Sequence, residues 1–156
     1  MGNYDIKLIE TVIFLVLLFR ALKTDLQSRR IENKIVVLLL VNKGLCAALC
    51  CLDMIPKEKV IASVIIHLFV GLLFILFYNL NIIEIGAGDI KLLCASEIYF
   101  SSEEIIWWLF IMCVVVVGYI LISGISESCW TKSFPLAPVI FVSAVCMFLI
   151  KAAPHN

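Results

Sequence analysis

The chain has 156 residues, 63% of them hydrophobic, with a mean hydropathy of +1.13 and no net charge at neutral pH. Only 15% of residues are charged, against about 25% in an ordinary soluble domain, so lipid is the solvent this composition fits. Zero net charge leaves no basic face for nucleic acid and no acidic tail.

A membrane-crossing helix needs about 20 mostly apolar residues. In chain order, spans are predicted at about Ile6–Leu22, Ile35–Leu52, Val60–Leu80, Ile105–Ile125 and Pro135–Ala152. Between the third of these and Ile105–Ile125 lies Asp89–Phe100, apolar but short and carrying Glu97. Counting it gives an all-α, polytopic membrane protein: about six transmembrane helices in one bundle, with residues 1–156 forming a single domain. Asp5, Lys7 and Glu10 precede the first apolar run and no small-x-small cleavage site follows it. It is therefore expected to stay as a helix and not to be cut off as a signal.

Six crossings put both termini on one side. The first loop holds Arg20, Lys23, Arg29, Arg30 and Lys34, which by the positive-inside rule faces the cytoplasm, together with the loops around Asp89 and Lys132. Seven cysteines are present, none spaced as C-x-x-C. In apolar runs cysteine acts as a small hydrophobe, and neither a zinc site nor a disulfide framework is indicated. No metal or cofactor is expected.

Two carboxylates stand out. Asp25 directly follows the first span, and Asp89 ends the tetrapeptide Gly86-Ala87-Gly88-Asp89 at the start of the short fourth span. With two crossings between them, both fall on the cytoplasmic side. Each has a plain reading: Asp25 as a solvated loop charge, Asp89 as a helix cap accepting backbone N–H groups. The glycines allow positive φ or close approach of another chain. The functional reading pairs the two. Neighbouring carboxylates cannot both ionise cheaply, so they share a proton. The ionised one takes a proton from attacking water while the protonated one hydrogen-bonds the substrate carbonyl. The two histidines offer less: His155 is near the C-terminus, and His67, in mid-span, reads as a neutral core residue bonded to a neighbouring helix.

Asp25 with its basic loop ending Ile31-Glu32-Asn33, then Gly86-Ala87-Gly88-Asp89-Ile90-Lys91-Leu92-Leu93, then Phe134-Pro135-Leu136-Ala137-Pro138, resemble the type IV prepilin peptidases in order and spacing. The resemblance implies a GxGD-type aspartyl protease of the cytoplasmic membrane. Such an enzyme cuts the positively charged leader from prepilins or pseudopilins at the cytoplasmic face, with Asp25 and Asp89 at the catalytic positions. It departs at Glu32, where family members carry proline, a residue that would stiffen the turn. It also departs in starting at the protease core, with no cysteine-rich loop, so methyltransferase activity is not expected.

Gly86, Gly88 and Lys91 are read as supporting residues, with Lys91 either reaching the headgroups or placing the leader or the loop. Lys91 follows Asp89 by two residues and points about 200° away on a helix. Arg29 pairs with Asp25 if that loop is helical. Glu32 and Glu84 are candidate contacts for a basic leader. Lys43 and Glu97, ionisable groups within spans, stand equally as functional or interfacial. Tyr99, Trp107 and Trp108 read as an outer aromatic belt, and Gly44, Gly71 and Gly118 as close-packing positions. The expected partners are the prepilin substrate and membrane lipid. Two rivals remain: a presenilin-type intramembrane protease, in which the first aspartate follows tyrosine where Thr24 stands here, and a small transporter or assembly subunit using the aspartates for ion coupling.

Overall fold

A computed structural model of the chain describes residues 3–28, 30–50, 57–80, 86–124 and 136–152. Six helices account for nearly all of them: α1 (Asn3–Ser28), α2 (Asn33–Cys50), α3 (Lys57–Asn79), α4 (Ala87–Glu97), α5 (Glu104–Gly124) and α6 (Leu136–Ala152). No strand occurs among the described residues.

Local chemistry explains the helix limits. Thr24 and Ser28 bond back to the carbonyls of Ala21 and Thr24, letting α1 carry polar side chains through its final turns. A single turn, with the Ile35 N–H donating to Glu32 O at 2.9 Å, starts α2. Gly86, in extended conformation (φ −67°, ψ 144°), begins α4. Beyond Glu97 the chain tightens, with Tyr99 N–H donating to Ser96 O and Phe100 N–H to Glu97 O. The next helix opens on Ser101: the N–H of Glu104 bonds Ser101 O, and the Glu104 carboxylate accepts from the Ser101 N–H at 2.9 Å. That exchange follows the Ser-x-x-Glu capping pattern.

Packing places α4 in the middle. It lies against α2, α3 and α6; α1 packs on α2 and α6, and α5 on α6. The core is aromatic where these helices meet. Phe14 stacks on Tyr99 with ring centroids 4.0 Å apart, Phe100 stacks on Trp108 at 4.8 Å, and Phe148 closes edge-on against Phe14. Leu18, Ile35, Leu39, Leu92 and Ile140 fill the remainder.

Several expectations change. The short fourth span is an 11-residue helix, which rises only about 16 Å, about half of a bilayer core. Among the described residues no helix is long and apolar enough to cross a membrane. The aromatic belt dissolves: Trp108 is fully buried and Tyr99 nearly so, while Trp107 is exposed. Adjacent residues on a helix point about 100° apart, so one tryptophan faces the core and the other faces out. Nothing described lies within 4 Å of a side chain added at Gly44 or Gly118, so neither serves close packing there. At Gly71 an added Cβ would lie 3.2 Å from Glu97 Oε1. That glycine makes room for a buried carboxyl group.

Candidate active site

Asp25 lies in the last turn of α1 and Asp89 in the first turn of α4. Both line one open cleft of about 330 Å³, together with Arg30, Ile31, Asn33, Gly86, Ala87, Gly88 and Lys91. The cleft thus gathers the end of α1, the following turn, the start of α2 and the Gly-Ala-Gly entrance to α4.

The backbone explains how Asp89 is held. Gly86 O accepts the N–H groups of Asp89 and Ile90 at 3.0 and 3.3 Å, and the Gly86 N–H donates in return to the Asp89 carboxylate. The cap reading of Asp89 is therefore correct in part, because its side chain reaches back to the residue that starts its helix. The cap leaves half of the carboxyl unused: Asp89 Oδ1 is buried and has no hydrogen-bond partner among the described residues. Asp25 is itself buried, at 6% exposure. Two acids brought to one cleft are the arrangement in which carboxylates share a proton.

The glycines act through space and not through unusual backbone. Gly86 has an ordinary negative φ, and a Cβ there would sit 3.1 Å from Asp89 Oδ2. At Gly88 a Cβ would meet Ile31 Cβ at 3.4 Å, so the turn after α1 lies directly over the first turn of α4. Lys91 donates to Asn33 Oδ1 at 3.4 Å. Of the roles expected for Lys91, placing the loop is the one this bond serves.

The other candidates scatter. Glu32 is exposed, 3.7 Å from Arg20 Nη2, and does not line the cleft. Glu84 and Arg29 lie outside the described residues, and so does the Asp25–Arg29 pairing. Lys43 pairs with Glu10 at 2.8 Å. His67, half-buried, meets Phe100 O through Nε2 at 3.0 Å and Ser63 O through Nδ1 at 2.7 Å, of which a neutral ring can donate to one; its contact beyond α3 is with the turn after α4 and not with a neighbouring helix. Among the described residues no cluster of three His, Cys, Asp or Glu side chains is placed to hold a metal ion. Sequence reasoning overlooked Arg30, Ile31, Asn33 and Ala87 as cleft residues. Ile31 was detectable in principle as the apolar residue of the Ile31-Glu32-Asn33 turn that has to cover something.

The model of the type IV leader peptidase family matches residues 12–121, more than two thirds of the chain and both cleft aspartates. The chain belongs to the type IV leader peptidase family, and is a peptidase of prepilin-type leaders on that ground. No curated protein and no solved structure matches it significantly.

Proposed function

We propose that this peptidase is an aspartic endopeptidase of the cytoplasmic membrane, with Asp25 and Asp89 activating water to cut the leader of a type IV prepilin or pseudopilin at the cytoplasmic face. One observation carries the reading: helices far apart in sequence deliver two carboxylates to a single open cleft, Asp25 buried and Asp89 with one oxygen buried. Asp89, whose Oδ1 is buried with no hydrogen-bond partner among the described residues, enters as the protonated member. Its proton hydrogen-bonds the scissile carbonyl oxygen. Ionised Asp25 takes a proton from the attacking water, whose oxygen adds to the carbonyl carbon. Collapse of the resulting tetrahedral species breaks the C–N bond, and the leaving nitrogen receives the proton. The pair returns to its starting state with one proton between the two carboxyls.

The membrane setting is supported by the outer faces of the helices. Leu8, Val16, Leu68, Phe69, Leu72, Ile106, Trp107, Phe110 and Leu121 are 60–69% exposed. A water-soluble monomer rarely leaves more than a few hundred Å² of contiguous apolar surface uncovered. Asp25 and Asp89 sit at the ends of helices that face the basic first loop, which favours a cytoplasmic opening. The short α4 is then a half-helix covered by α2, α3 and α6, and tolerated because protein covers it.

The test is co-expression with a prepilin from the same genome, beside Asp25→Asn and Asp89→Asn, with alkaline extraction of membranes. Wild type is expected to remove the leader, both variants to leave it, and all three to resist extraction. Processing by both variants would refute the two-aspartate mechanism, and release into the alkaline wash would refute the membrane setting.

A further inference from the structure

Asp25 and Asp89 sit on α1 and α4, each of which packs on α2 and on α6. Tyr99 joins the two arms directly. Tyr99, in the turn after α4, lays its ring on Phe14 of α1 with centroids 4.0 Å apart and planes 19° from parallel. Its hydroxyl donates to Leu39 O of α2 at 2.6 Å and accepts from Asn42 Nδ2 at 3.0 Å. Lys43 Nζ stands 5.3 Å from the ring centroid while it pairs with Glu10 Oε1 at 2.8 Å. Glu10 and Phe14 are four residues apart and share a face of α1.

The two arms have comparable lengths. Asp25 follows Phe14 by eleven residues, a rise of about 16.5 Å, and Asp89 precedes Glu97, the last residue of α4, by eight, a rise of about 12 Å before the turn that carries Tyr99. Tilting either arm about the Phe14–Tyr99 contact by about 4° would move its aspartate by about 1 Å, enough to cost about 100-fold in rate. Apolar helix contacts slide and rotate with little penalty, whereas a short hydroxyl–carbonyl bond and a stacked ring fix both angle and register.

We infer that Tyr99 is a positioning residue for the peptidase reaction: the fulcrum, between the far end of α4 and the middle of α1, that sets the distance between the two cleft carboxylates. Lys43 and Glu10 hold its ring against α1. The inference rests on the two-aspartate reading above.

The test uses the full chain, purified in detergent, with a prepilin substrate. Tyr99→Phe keeps the stack and loses both hydroxyl bonds; Tyr99→Leu loses the stack as well. The expected falls in kcat are about 10-fold and about 100-fold, with KM within about twofold of wild type. The decisive readout is the pH profile. Two carboxylates that share a proton titrate further apart the closer they lie, so the active pH window narrows in both variants. Lys43→Met narrows it too and Lys43→Arg restores it, which keeps the test open where Tyr99→Leu fails to fold. A window of unchanged width, or a loss confined to KM, overturns the inference and leaves Tyr99 as packing. Cleavage that persists in Asp25→Asn or Asp89→Asn removes the two-aspartate reading instead, and that outcome is visible without any Tyr99 variant.

Discussion

Replacing Gly86 by alanine isolates what the first glycine of the Gly-Ala-Gly-Asp element does. Its φ of −67° and ψ of 144° suit alanine, so the backbone carries no strain and the whole effect is steric. The new Cβ would lie 3.1 Å from Asp89 Oδ2, where ordinary contact begins at 3.4 Å. The carboxyl must therefore retreat by about 0.3 Å. With about 100-fold in rate per ångström of misplacement, Gly86→Ala lowers kcat about fourfold. Gly86→Val, whose γ-methyls reach over the carboxyl itself, lowers it more than 100-fold. Stability changes by under about 1 kcal/mol for alanine, the usual difference at a helix cap. The assay is single-turnover leader cleavage, with thermal unfolding in the same detergent. Wild-type rates in both variants would refute the claim that this glycine exists to seat the carboxyl. A collapse of stability in Gly86→Ala would show that it serves the fold instead.

Asp89→Asn is expected to abolish leader cleavage while the chain still unfolds cooperatively in detergent; residual cleavage would refute its catalytic role. Gly71→Ala drives a Cβ to 3.2 Å from the Glu97 carboxyl, which is 3% exposed, and should cost about 1–3 kcal/mol. Adding Glu97→Ala should recover part of that loss, whereas strictly additive denaturation energies would show no contact between the two. Lys91→Met removes one long, exposed hydrogen bond to Asn33, worth about 0.5–1 kcal/mol, and should lower kcat/KM about two- to fivefold. Asn33→Ala should match it, and the double variant should be no worse; independent losses would sever the link between Lys91 and the turn.

The helix count, the order of elements and the two aspartates were legible because they depend on local signals. Apolar runs broken by charge clusters mark helices and loops, and glycines before an aspartate mark the start of α4. Boundaries agreed to within about three residues, as with the predicted Ile105–Ile125 against the observed Glu104–Gly124, except that α1 runs on from Leu22 to Ser28 and takes Asp25 out of the expected loop into its last turn. Facing was not legible. Helices apolar on every side carry no stripe to say which side is buried, so Trp107 and Trp108 read alike in sequence although only Trp108 is buried.

By itself the sequence determined that this protein is helical and strongly apolar, and that two carboxylates fall at helix ends with glycine beside one of them. Only the tertiary structure decided which groups meet: Gly86 under the Asp89 carboxyl, Ile31 over Gly88, Lys43 on Glu10, and Tyr99 on Phe14. Composition and local spacing act along the chain, within a turn or two. Contacts between α1, α2 and α4 depend on how helices rotate about their own axes when they pack, and a nearly uniform apolar surface leaves that rotation to the few polar and aromatic side chains that must find partners.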